Sequence, residues 1–86
     1  MQDNNDEAIL KQVQQLFKNA MGDNIEVHAD TQKNMIADWD SVNHLNLIVE
    51  LENEFDLGLS MTEIENLNSV KQIVDLINAK KRRGIK

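Results

Sequence analysis

Apolar residues recur along this chain at helical spacing in three places and at convincing alternating spacing nowhere. Ile9, Leu10, Val13, Leu16, Phe17 and Ala20 follow one another by one, three or four positions, which puts them on one side of a helix turning about 100° per residue. Asp3, Asn5 or Asp6 can cap its start, and Gly22 is placed to end it. A second helix is predicted from about Val42 to Phe55, with Asp40 as N-cap and Gly58 beyond its end. A third carries Val70, Ile73, Val74 and Ile77 behind Asn68 or Ser69 as cap. Ser60 and Glu63 have capping-box spacing and open a further short helix through Ile64 and Leu67. The expected fold is all-α: a small bundle of three main helices plus one short one.

Residues 23–40 fit neither period. Ile25, Val27, Met35, Ile36 and Trp39 stand among polar residues there, so this long loop is expected to cross the bundle on a few apolar anchors. Loops of this length in compact domains are commonly functional. One domain is expected over residues 5–79, followed by a basic tail, 80–86, that frays where Gly84 interrupts it.

With 86 residues, such a domain buries only about 60% of the surface its unfolded chain exposes. A deep catalytic pocket is hard to build on so thin a core. The absence of cysteine removes disulfides, thiolate metal sites and cysteine nucleophiles together. Apolar runs are too short to span a membrane, and the acidic, polar start is unlike a secretory signal. A soluble, cytoplasmic, monomeric protein is expected.

The net charge is −6, and its distribution says more than its size. No Lys or Arg occurs from Asn34 to Val70, whereas Asp38, Asp40, Glu50, Glu52, Glu54, Asp56, Glu63 and Glu65 all do. An acidic middle argues against nucleic acid as ligand, because phosphate binding needs the opposite sign. It fits partners with basic docking surfaces, whose approach it would steer, and equally a solvated face that keeps the protein soluble.

On the second helix, Leu47, Ile48, Leu51 and Phe55 form one apolar stripe, sufficient for packing in a small bundle. Val42, Leu45 and Val49 form another beside it, with Glu50 and Glu52 as neighbours. Either the bundle wraps this helix more fully, or the second stripe is a contact patch rimmed by charge. Just ahead of it, Ser41 follows the expected cap. With Asp40 capping, the Ser41 hydroxyl is free to project outward, beside the unpaired N–H groups and positive dipole end of a helix start. That position suits an attached phosphodiester, although serine near a helix start is commonly only a local hydrogen-bonder.

Other chemistries fit less well. Ser41, His44 and Asp38 or Asp40 invite a hydrolase reading, with Ser41 and His44 three apart on one helix, but a working triad also needs an oxyanion site and a cleft. A calcium loop beginning at Asp38 would put Asn43 where glycine is required and Val49 where a bidentate Glu belongs. His28 and His44 lack zinc-ligand spacing.

The run from Trp39 to Phe55, with Asp40-Ser41-Val42 at its head and Glu52-Asn53-Glu54-Phe55 at its end, resembles the acyl and peptidyl carrier protein family. In that family a D-S-L motif opens the second helix and an E-x-E-F-like ending closes it. The likeness extends through Leu57-Gly58-Leu59 and the short helix to Asn68–Ile77, covering about Ile9 to Ile77. It implies a non-enzymatic carrier bearing 4'-phosphopantetheine, derived from coenzyme A, on Ser41. Asp40 would help a phosphopantetheinyl transferase recognise the site and place its metal. Val42, Leu45 and Val49 match the family's apolar docking positions, and Glu50, Glu52 and Glu54 would supply an acidic rim. Acyl or aminoacyl thioesters would be presented to loading and processing enzymes of a fatty-acid, polyketide or other specialised pathway. Val42 in place of leucine, Asn43-His44 after it and Trp39 before the motif point toward a specialised pathway. The alternative is a helical adaptor that keeps the carrier fold and docks partners without a prosthetic group.

Overall fold

A computed structural model describes the backbone of residues 3–85 and the side chains of residues 7–80. Four helices follow in order: α1 (Asp3–Met21), α2 (Ser41–Phe55), α3 (Met61–Glu65) and α4 (Val70–Ile85), with a 3-10 turn at Lys33–Met35 in the first loop. No strand forms among the described residues; the fold is all-α.

The apolar stripes become the core. Ile9, Val13, Leu16 and Phe17 of α1 are buried against Leu47, Ile48 and Leu51 of α2 and Val70, Ile73, Val74 and Ile77 of α4. Leu10, Ala20 and Phe55 pack at the margin of this core, half-buried. Burying a Val, Leu or Ile side chain contributes about 1.5–3 kcal/mol, so these three stripes dominate the fold's stability. α1 packs against both α2 and α4.

The helix ends follow local chemistry, with some departures from expectation. α1 already begins at Asp3, so Asn5 and Asp6 lie within it and do not cap it. It stops at Gly22, whose φ of 113° is open to a residue without Cβ. Beyond α2 the left-handed residue is Asp56 (φ 55°), not Gly58; Asp tolerates this conformation because its short polar side chain can bond locally. The capping box of α3 is complete: Ser60 Oγ accepts from Glu63 N–H (3.1 Å) and Glu63 Oε1 from Ser60 N–H (2.9 Å). Ser69 caps α4 by accepting from Gln72 N–H at 3.1 Å. α4 then continues to Ile85, through the residues expected to fray as a tail; the side chains of 81–86 lie outside the described residues.

The long loop is pinned at several points. Val27 and Trp39 are buried and Ile25 and Ile36 half-buried. Met35, expected as an anchor, is 65% exposed, because the 3-10 turn directs it outward; its Sδ lies 3.4 Å from the Gln32 N–H. Polar ties do the remaining work. Gln14 Nε2 on α1 donates to Val27 O (2.8 Å), and buried Thr31 accepts from His28 N–H through its hydroxyl (2.8 Å). Lys33 N–H donates to Asn68 O (2.7 Å) and Val70 N–H to Thr31 O (2.9 Å), joining the loop to the start of α4.

Candidate functional site

The loop delivers the chain to the start of α2 in a fixed conformation. Asp40 is extended (φ −98°, ψ −173°), and its Oδ1 accepts from Asn43 N–H at 2.9 Å. Asn43 reaches back in turn, donating from Nδ2 to Asp38 O (2.8 Å). These two bonds, running in opposite directions, brace the turn that carries Ser41. Ser41 is the first residue of α2 and exposed. Because Asp40 supplies the cap, the Ser41 hydroxyl makes no hydrogen bond to any described residue. The first-turn N–H groups have no preceding helical carbonyl to meet. A serine-bound phosphate ester would therefore sit at the positive end of α2 with nothing to displace.

Under this turn lies a polar network that the sequence did not reveal. Trp39 is buried, its ring edge-on to Phe17 at 4.8 Å. Its Nε1–H donates to His44 Nδ1 at 2.8 Å, and His44 Nε2 lies 2.8 Å from Ile64 O. An indole N–H only donates, which assigns Nδ1 as the acceptor and places the imidazole proton on Nε2, donating to the α3 carbonyl. His44 is itself buried, at 6% exposure, not at the surface beside Ser41. Both its nitrogens are engaged, so the Ser–His pairing considered for a hydrolase is not formed. The one advance signal was the pairing of Trp39 with a polar residue five positions on, since a buried indole needs an acceptor.

The second stripe of α2 faces outward: Val42, Leu45 and Val49 are 68%, 55% and 54% exposed. These three side chains begin immediately after Ser41 and run down one side of the helix. The glutamates are arranged less uniformly. Glu52 Oε2 accepts from Leu59 N–H (3.1 Å), tying down the α2–α3 turn. Glu54 Oε2 accepts from Gln12 Nε2 (3.2 Å), so it leans toward α1. Glu50 is half-buried, while neutral Asn46 and Asn53 are exposed on the same side as the apolar stripe. Ser41 and the three apolar residues thus share a surface whose acidic border is partly committed to internal hydrogen bonds.

No group of three or more His, Asp or Glu that could hold a metal ion occurs among the described residues. None of their helices is long and apolar enough to cross a membrane.

A family model described as a phosphopantetheine attachment site matches residues 11–77. Among solved structures, the solution NMR structure of a holo acyl carrier protein from Geobacter metallireducens is similar, with a TM-score of 0.77 and 31% sequence identity over 88% of each chain. The family match, residues 11–77, begins in α1 and ends in α4, so it takes in the loop, the turn and the whole of α2. With family and architecture in agreement, this chain belongs to the phosphopantetheine-attachment family: it is a carrier protein of the acyl-carrier type, a family whose cofactor is covalent 4'-phosphopantetheine and whose role is to carry rather than to catalyse.

Proposed function

We propose that Ser41 is the attachment residue and that the chain carries acyl or aminoacyl intermediates as thioesters on the arm held there. The observation supporting this is the exposed, uncommitted Ser41 hydroxyl at the start of α2, directly after a cap supplied by Asp40. The prosthetic group supplies a terminal thiol, and every other task falls to the protein. α2 orients Ser41 and lends its positive end to the phosphodiester. Asp40 holds the turn through Oδ1, and its second carboxylate oxygen is free to help a transferase place a metal. Val42, Leu45 and Val49 offer the apolar contact by which the transferase, and then acyl-loading and acyl-processing enzymes, recognise the carrier. The exposed carboxylates favour partners with basic surfaces. Fatty-acid, polyketide and other specialised pathways all use such a device, and Val42, Asn43-His44 and the preceding Trp39, as departures from the family's motif, favour a discrete carrier of the specialised kind. Cytoplasmic action as a monomer is part of this reading.

Incubation of apo protein with coenzyme A, Mg²⁺ and a broad-specificity phosphopantetheinyl transferase tests it. One phosphopantetheine mass should be added to the wild type and none to Ser41→Ala. Addition to Ser41→Ala would remove the proposal, and no addition to the wild type would favour an adaptor that docks without an arm.

A further inference from the structure

A groove of about 510 Å³ opens beside the Ser41 turn, walled by Gln32, Lys33, Ile36, Trp39, Asp40 and Asn68. We infer that this groove receives the phosphopantetheine arm between visits to partner enzymes, with Lys33 facing the phosphodiester. The inference rests on Ser41 being the attachment point.

Three observations carry it. Asp40 both lines the groove and immediately precedes Ser41, so the arm starts at the groove's edge. Lys33 is the only Lys or Arg between Lys18 and Lys71, and this lone cation of the acidic middle stands in that wall. It is half-buried and takes part in neither of the two ion pairs found among the described residues. A cation meeting a phosphodiester makes a charge-assisted contact. The rest of the lining matches the arm in kind of chemistry. Half-buried Ile36 presents apolar surface to its branched hydrocarbon segment, and the Gln32 and Asn68 side-chain amides suit its two amide groups. The frame is fixed, because Lys33 N–H donates to Asn68 O across the groove wall at 2.7 Å.

A second groove, between α1 and α4, has Glu7, Asp30, Asp75 and Lys71 around Leu10 and Val74. Its one lysine is already paired with Asp75 at 3.1 Å, so an anion there meets three carboxylates, against one carboxylate, Asp40, and Lys33 in the first. Docking beside Ser41 has to be weak, since the arm must leave to reach a partner. A single exposed ion pair meets that need, shifting occupancy by about two- to five-fold.

The test uses ¹⁵N-labelled protein, loaded with the transferase and checked by intact mass before amide spectra of apo and holo forms are compared. Residues next to Ser41 shift in any holo protein, so Lys33, Ile36 and Asn68 are diagnostic. Expected are holo-specific shifts at these three amides that shrink about two- to five-fold in Lys33→Gln, persist in Lys33→Arg, and fall with added salt. The apo spectra of both variants report whether the fold is kept. Absence of the mass gain would overturn the attachment reading and this one with it. A mass gain with no change at Ile36 and Asn68 would overturn the groove alone. Shifts of undiminished size in Lys33→Gln would overturn the role given to the cation.

Discussion

Two neighbouring side chains, Ser41 and Asp40, divide the labour at the helix start so completely that they should respond oppositely to truncation. Ser41→Ala removes a hydroxyl that bonds to nothing described, so stability should stay within about 0.5 kcal/mol of wild type while arm attachment disappears. Asp40→Ala removes the acceptor for Asn43 N–H and should cost about 1 kcal/mol, read as an earlier denaturation midpoint. Trp39 and His44 form a different kind of pair, in which each satisfies the other. Trp39→Phe keeps the ring against Phe17 but leaves buried His44 Nδ1 without its donor, at a cost of about 1–3 kcal/mol. Adding His44→Leu removes the orphaned polar atom as well, so the double variant should be less destabilised than the sum of the singles by about 1 kcal/mol or more. Additive losses in urea denaturation would mean that the two side chains do not act as a unit.

Helix α2 separates its two apolar stripes by consequence as well as by direction. Leu47, Ile48 and Leu51 hold the bundle, whereas Val42, Leu45 and Val49 stay in water. Val49→Asp should therefore leave melting nearly unchanged while weakening partner binding about tenfold or more, because a charge is cheap in solvent and costly in an apolar contact. A melt lowered by several degrees would place Val49 in the core instead. Glu52→Ala should behave in the reverse sense, loosening the α2–α3 turn by about 1 kcal/mol through loss of the acceptor for Leu59 N–H. These contrasts also mark how far the sequence could be read. Periodicity identified the three long helices, since each buries one stripe, and the spacing of Ser60 and Glu63 identified the short fourth through its capping box. Periodicity does not say which of two adjacent stripes is covered; that depends on where the neighbouring helices lie. Nor could it distinguish Glu52 and Glu54 as internal acceptors from free carboxylates, because their partners Leu59 and Gln12 are set by the tertiary fold. The left-handed Asp56 was missed for a related reason: Gly58, nearby, is the usual residue for that conformation.

Across the whole molecule, the far part of α4 is fastened to the segment that follows α2. Lys80 Nζ reaches Glu63 Oε1 (3.0 Å) and Gly58 O (3.1 Å). The Ser60 N–H first, and then Lys80, hold the Glu63 carboxyl below its ordinary value. A carboxylate with a lowered folded pKa contributes stability that is present above its unfolded pKa and is lost as pH falls through the folded value. The pH dependence of unfolding in that acid range should thus be shallower in Glu63→Gln than in wild type; identical profiles would show that the ion pair does not couple to folding. The backbone bridge between the first loop and the start of α4 carries a further consequence, for motion. Lys33 N–H and Val70 N–H are far apart in sequence, yet each is protected only while the loop lies against the Asn68–Val70 turn. Their hydrogen exchange should therefore share one opening free energy, as a single cooperative unit. Each opening would also slacken the path leading to Ser41, so the exchange rate of these two amides times how often the attachment turn is released from its frame.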